Sequence, residues 1–529
     1  MKAIKFLYIG LLATAFTACT KNFEEINTPP KDPVSASNEE LFNGIISSLP
    51  LAAGEYSVMN SWIYSITQQG VVEGNNHYNF DNARNGVWDP YYSAMASSRL
   101  LESRIAESAN VSAMNNFSAM IKTLIAYKTF KVTNYFGNIP YSKAGYAPIK
   151  KAEGYNAAYE KQEDIYKALL ADLKWAVDNF NPSSDQYSPQ AYDTFFKGDV
   201  SKWSRFANSL RLYIAVTMYD KNPTLAQSHI TESLNKPLLG DGEDIGLWPA
   251  QIPGLSFQWR SWSFVQDCNL RLGSTMWNLL SDNDNTDGSG IFDIRAKIFF
   301  ETNDANEWKP AQQNAALTET GSPYKSDKRN SLANWADKQG SIHSSFNFNI
   351  AADLNSIPEL MLTSAQIQLL KAEIYNRGLG VAADQNKAQS AYEAGIKNSL
   401  NMWKKIAFNA PNWFIDKPTQ ETVTNAELNK VLNNVKVKYD VSSPATSLLK
   451  IYAQLWIDQY RQPFDAWTLL RRTGGKTPKS TINPNGYQDK YGNLNRFRYP
   501  DGEQSYNNAN WKNETQGSDL TSKKIWIQP

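Results

Sequence analysis

The sequence predicts a mostly α-helical fold in which helix hairpins build a scaffold and a large irregular, loop-rich insert, at about residues 235–355, interrupts it. Three observations carry this expectation. Apolar side chains recur at three- and four-residue spacing in five stretches before residue 220 and in four after residue 360. Between them the chain is dense in Gly, Asn, Asp and Trp and loses that spacing. Finally, 42% of the 529 residues are apolar, enough for a sizeable core, while two cysteines give no disulfide framework.

In chain order, the first element is a leader. Lys2 and Lys5 precede an apolar run from Phe6 to Ala18, 13 residues long and too short to span a hydrocarbon layer of ~30 Å. It ends at Thr17-Ala18-Cys19, which resembles the lipobox of bacterial lipoproteins and implies that residues 1–18 are removed and the Cys19 thiol becomes thioether-linked to diacylglycerol. The alternative is a plain secretory leader with an incidental cysteine. Acyl chains contribute ~0.8 kcal/mol per buried methylene, so two or more hold a protein on a membrane without a spanning segment. Residues 19–37, polar and carrying Pro29, Pro30 and Pro33, read as the lipidated tether.

Residues 38–529 read as one domain. Leu41, Ile45, Ile46 and Leu49 mark its first helix, and Tyr92, Met95, Leu100 and Leu101 another. Phe117–Phe136 is amphipathic with a broad apolar face, and Ile165, Leu169, Leu170, Leu173 and Val177 form the next stripe. Ser201 is a candidate cap for a helix carrying Trp203, Phe206, Leu210, Tyr213, Ile214 and Met218. After the insert, helices are expected over Leu360–Tyr375, Ala388–Trp403 and Leu448–Tyr460, with Pro463 opening a short one to Arg471. The last 55 residues look irregular. In the 362–403 pair, Arg377-Gly378 ends one helix and Asp384 can cap the second, while Ala388 and Ala391 beside Tyr392 permit close approach, as in a tetratricopeptide hairpin. No 34-residue period is present. Long amphipathic helices joined in hairpins still suggest an α-solenoid scaffold carrying the irregular insert.

Loss of Lys2 and Lys5 takes the formal charge from +1 to −1, so the mature chain has no general field for nucleic acid or anionic lipid. No phosphate-binding glycine loop, nucleophile elbow, HExxH or CxxC is present, and the three histidines, His77, His229 and His343, lie far apart. Nothing positively supports an enzyme. Cys268 reads as a small buried apolar side chain. Asn283, Asn285, Asp287 and Gly288 are spaced like the start of a calcium loop, but its twelfth position is Ile294, where a bidentate Glu belongs. Calcium and a solvated Asx turn are the two readings.

Sixteen Trp, 27 Tyr and 23 Phe suit sugar or peptide ligands as well as a large core. The stretch "WPAQIPGLSFQWRSWSF", 248–264, places Trp259 and Trp262 beside Gln258 and Arg260 on a loop: rings to stack on sugar faces, polar groups to bond hydroxyls. A second candidate, "EGNNHYNFDNARNGVWDPYY", holds Asn76, His77, Tyr78 and Trp88. Packing under long loops is the alternative for both. Trp203, Trp403, Trp456 and Trp467 fall at core spacing, and Arg471 and Arg472 read as braces.

Several stretches, spread over almost the whole mature chain, resemble one family. "CTKNFEEINTPPKDP" is similar to the mature start of SusD/RagB-type outer-membrane lipoproteins. "FKVTNYFGNIPYSKA" at 130–144, "WSRFANSLRLYIAVTM" at 203–218, "AWTLLRRTGGKTP" at 466–478 and "NRFRYPDGEQSYN" at 495–507 resemble that family's recurring segments, with Tyr213 where Arg is frequent. The resemblance implies a tetratricopeptide superhelix with its ligand face made of loops on one side. It also implies a non-enzymatic, cell-surface role in which the lipoprotein captures oligosaccharide or peptide and caps a SusC-like TonB-dependent transporter. Glu24 and Glu25 resemble the acidic export signal of such lipoproteins. The competing readings are a surface glycan- or peptide-degrading enzyme and a non-binding structural lid.

Overall fold

The computed structural model describes residues 36–72, 78–183, 185–249, 252, 270–303, 305–313, 343–347, 357–410, 413, 416–480 and 489–529. Cys19, Glu24, Glu25, Asn76, His77, Gln258, Trp259, Arg260, Trp262 and Cys268 lie outside them.

Helices α1 (Asn38–Ser47), α2 (Ala53–Val58), α3 (Ala83–Ala106), α4 (Asn115–Phe136), α5 (Gln162–Asn179), α6 (Val200–Met218) and α7 (Pro223–Leu234) make the first half. Their starts follow local chemistry. Ser37 and Glu40 close a capping box on α1, with Glu40 N–H donating to Ser37 Oγ at 3.1 Å and Ser37 N–H to Glu40 Oε2 at 2.7 Å. The cap of α6 is Asp199, which accepts from Lys202 N–H at 3.1 Å. Ser201, expected to cap it, is already inside the helix, where its hydroxyl accepts from Arg205 at 2.6 Å. An Asp two residues earlier reaches the orphan amides just as well.

Helix α4 is buried along most of its length, as its broad apolar face predicts, and packs against α3, α5 and α6. Consecutive helices α3/α4 and α6/α7 pack against each other, with α5 against both α4 and α6.

The insert, where described, contains short pieces: β4 (Ile245–Leu247), β5 (Leu270–Arg271), α8 (Ser274–Leu280), α9 (Arg295–Phe299), β6 (Phe300–Glu301) and β7 (Ser345–Phe346). With β1 (Val71–Val72), three of these strands form an antiparallel sheet in the order β1-β5-β7-β6. β2 (Ile139–Pro140) pairs with β3 (Tyr159–Glu160), and β4 with β8 (Glu359–Leu362). Leu360 to Leu362, expected as helix, are therefore strand. A three-residue apolar run at a boundary reads equally as either, and pairing to β4 decides it.

The second half holds α10 (Ser364–Arg377), α11 (Gln385–Asn409), α12 (Asn425–Leu432), α13 (Pro444–Asp458), α14 (Pro463–Arg472), α15 (Asp501–Tyr506) and α16 (Asn508–Thr515). The α10/α11 hairpin turns where expected: Gly378 adopts φ +73°, and Asp384 accepts from the amides of Asn386 and Lys387 at 3.1 and 3.0 Å. The 55-residue C-terminal stretch is not irregular throughout. α15 and α16 form there on polar sequence that gives no apolar stripe, which is why spacing missed them.

Buried apolar side chains form one cluster running from Leu41 to Ile527. Trp203, Trp403, Trp456 and Trp467 are fully enclosed in it. Arg471 and Arg472 act as braces. Arg471 donates to the carbonyls of Asn134 and Asn495, both at 2.8 Å, and Arg472 forms a two-pronged pair with Glu373 at 3.0 and 2.7 Å.

Candidate ligand-binding cleft

Of the eight residues expected to meet ligand, the two that are described, Tyr78 and Trp88, fall at neighbouring openings along helix α3. The helix presents Arg84 and Asn85 to one and, a turn later, Trp88, Asp89, Tyr92 and Ala96 to the other.

The larger opening has a volume of about 970 Å³, at the upper end of the size that takes small ligands. Its floor is Trp88 and Tyr92, with ring centroids 4.8 Å apart. Beneath them Phe136 and Tyr499 meet the Trp88 ring at 5.0 and 5.8 Å. Trp88 is only 6% exposed, so it presents an edge to the cleft rather than a free face. Tyr92 donates its hydroxyl to the Pro140 carbonyl at 2.9 Å, and burial pushes its phenol well above the ordinary range.

One wall is the loop between β2 and β3, whose strands hold its ends together with Ile139 opposite Glu160. Gly145 allows the loop to lie on α3: at φ +81°, a Cβ there would stand 2.7 Å from the Met95 side chain and 2.9 Å from its backbone. The other wall is the α15–α16 junction, with Glu503, Tyr506 and Asn507. Asn507 Nδ2 donates to the Ala157 carbonyl and to Glu503 Oε2, each at 3.0 Å, and Asn510 donates to the Asn156 carbonyl at 2.8 Å. Tyr159 donates to Glu503 Oε2 at 2.6 Å; burial first, then the Glu503 charge, raises the Tyr159 phenol. The two walls are thus tied at the base and free at the rim.

At that rim stand Tyr155, 65% exposed, and Tyr506, 84% exposed. Single exposed aromatics such as Trp175 and Tyr192 are ordinary, but Tyr155 and Tyr506 line the same opening. The rings can stack on an apolar ring face and the Glu503 carboxylate can accept from hydroxyls, while the Asn507 amide is already spent on Ala157, Glu503 and Asn510. Neither tyrosine was singled out from the sequence. Each sits alone in a polar stretch, and only the tertiary contact of 155–157 with 503–507 brings them together.

The smaller opening, about 500 Å³, is polar: Tyr78, Asn79, Asp81, Asn82, Arg84, Asn85 and Arg498 line it beside Gly54. Arg498 pairs with Asp81, and Arg84 with Asp501, so its cations are already neutralised. From the aromatic stretch at 248–264, Trp248 is described; it is half-buried and lines a small pocket of about 210 Å³ with Phe195, Phe196 and Arg205.

The side-chain oxygens of the calcium-like stretch serve its own turns. Asn283 Oδ1 accepts from Asn285 N–H at 3.0 Å, Asp287 Oδ1 from Ser289 N–H at 2.8 Å, and Asn285 donates to Ser289 Oγ at 3.1 Å. Among the described residues no three His, Cys, Asp or Glu side chains gather as metal ligands would. His229 accepts from Arg211 Nε at 2.8 Å, and its own burial followed by that cation lowers its pKa to about 4. Among the described residues no helix is long and apolar enough to cross a membrane.

A SusD-like family model, described as "Starch-binding associating with outer membrane", matches residues 30–500. A comparison with curated proteins finds no match. Among solved structures, one titled a chitin-binding protein superposes with a TM-score of 0.70 at 19% identity, over 93% of this chain and 100% of its own. A chitin-binding SusD homolog from Flavobacterium johnsoniae gives 0.63 at 21% identity, over 92% and 97%. A SusD homolog from Parabacteroides distasonis gives 0.67 at 19%, over 93% and 98%. At these identities the structures speak to the fold alone.

Proposed function

The chain belongs to the SusD-like family, and from that premise we propose that it is a cell-surface lipoprotein, anchored in the outer membrane through Cys19, that captures oligosaccharide and delivers it to a SusC-like TonB-dependent transporter. Glu24 and Glu25 supply the signal that carries it to the outer face, and the protein binds its ligand without turning it over.

The observation that carries the ligand class is the cleft over α3. Tyr155 and Tyr506 stand exposed at its rim with Asn507 and Glu503 between, above the Trp88–Tyr92 floor. Stacking on ring faces with hydrogen bonds to hydroxyls is how a shallow, wet site holds a sugar. The chitin-binding titles of two similar folds favour glycan over peptide.

Titration of intrinsic tryptophan fluorescence with a panel of neutral oligosaccharides and of peptides tests this reading. Saturable binding of an oligosaccharide, unchanged in length after incubation, is the expected result. Binding of peptides alone, or release of shorter products, overturns it.

A further inference from the structure

On a different face, α8, the first turns of α13 and the loop after α14 enclose a cleft of about 670 Å³. Four lysines line it, Lys436, Lys450, Lys476 and Lys479, and no Asp or Glu does. In a chain whose acids and bases nearly balance, that is a local excess of charge. Two of the ammonium groups are fixed. Lys436 Nζ donates to the carbonyls of Asn278 and Ser281 at 2.8 and 2.7 Å, and Lys450 Nζ to those of Val435 and Lys438 at 3.0 and 2.6 Å. Carbonyl oxygens hold these cations in place and each ammonium retains a third N–H; the Asp440 charge lies near Lys450 without lining the cleft. Lys476 and Lys479 are exposed, and among the described residues neither meets a carboxylate.

The rest of the lining is hydroxyl and amide, from Ser274, Thr275, Asn278, Thr446, Thr477 and Ser480, with Leu449 half-exposed as an apolar patch. A nucleic acid would need a long cationic track, whereas the lysines here are four around one cleft. Converging cations among hydroxyl donors, in a space sized for a few rings, instead suit a short acidic sugar chain. We infer that this cleft is a second binding site, separate from the cleft over α3, that takes an anionic saccharide through its carboxylate or sulfate groups. Desolvation lowers the Lys450 pKa, and the Asp440 charge opposes that shift.

The test is isothermal titration of the full mature chain with a uronic-acid trisaccharide, with a sulfated disaccharide, with a neutral trisaccharide and with inorganic sulfate. The titrations are repeated on Lys476→Gln/Lys479→Gln, whose exposed side chains leave the fold intact. Expected is binding of one or both acidic sugars that weakens at least tenfold in the double variant and falls as salt rises. The arm that binds names the group, carboxylate or sulfate. Neutral-sugar affinity should not change in the variant, which separates this site from the cleft over α3. Failure of both acidic sugars to bind, equal binding by the variant, or an affinity no better than that of inorganic sulfate overturns the inference.

Discussion

Replacing Glu373 by Gln tests whether the scaffold is held by the buried ion pair between α10 and α14. Glu373 is fully enclosed. Its Oε1 accepts from Arg472 at 3.0 Å, Arg377 at 2.9 Å and the Tyr452 hydroxyl at 3.0 Å, and its Oε2 accepts from Arg472 at 2.7 Å. One carboxylate thus joins α10, α13 and α14, and although burial raises its pKa, Arg472 and Arg377 hold it below the ordinary value. Gln keeps the shape and removes the charge. Arg377 can tolerate this, being 20% exposed and paired with Asp220. Arg472, 3% exposed, cannot. Leaving a buried cation unpaired costs ~3–5 kcal/mol. Urea unfolding followed by tryptophan emission should show that loss in Glu373→Gln. Glu373→Gln/Arg472→Gln should recover part of it, because no charge is stranded, giving a non-additive cycle of at least ~2 kcal/mol. A single variant within ~1 kcal/mol of the parent, or an additive cycle, would refute the reasoning.

Three further outcomes are expected. Burial raises the Asp458 carboxyl to about 6, and a carboxyl raised in the folded state contributes stability that is complete below its unfolded pKa and lost as pH climbs through the folded one. The fold should lose about 3 kcal/mol from this group between about pH 4 and pH 7, and Asp458→Asn should flatten the thermal-stability profile over that range while leaving pH 4 nearly unchanged. Gly145→Ala, which puts a methyl 2.7 Å from Met95 at φ +81°, should cost ~1–3 kcal/mol and weaken glycan binding by shifting the Tyr155 wall, read by melting and titration together. Cys19→Ala should move the protein out of the membrane pellet and abolish metabolic labelling with palmitate.

How much of this was legible beforehand depended on whether the signal was local. The α4 stripe from Phe117 to Phe136, the Gly378 stop and the Asp384 cap are short-range facts, and each stands where the spacing and residue chemistry put it. Arg471 and Arg472, beside a helix end, were readable as braces, although their partners, 99 residues away at Glu373 and 337 away at Asn134, were not. Residues Leu360–Leu362 went to a strand because β4, over a hundred residues earlier, supplies the partner. The same reason hides the cleft. Trp88, part of a candidate stretch in the sequence, lies at the floor over a packed cluster, whereas the exposed rings, Tyr155 and Tyr506, belong to segments that only folding brings together.

On the proposed reading, the cleft over α3 holds a sugar between the two exposed tyrosines, Tyr155 and Tyr506. A tyrosine covered on one face loses about a third of the ~150 Å² it would bury when enclosed, ~50 Å², which at ~25 cal/mol per Å² gives ~1.3 kcal/mol for each ring. Isothermal titration of a bound neutral oligosaccharide into Tyr155→Ala/Tyr506→Ala should therefore show a dissociation constant raised ~70-fold, with the variant's melting temperature unchanged. An affinity equal to that of the parent protein would place the sugar elsewhere and contradict the account.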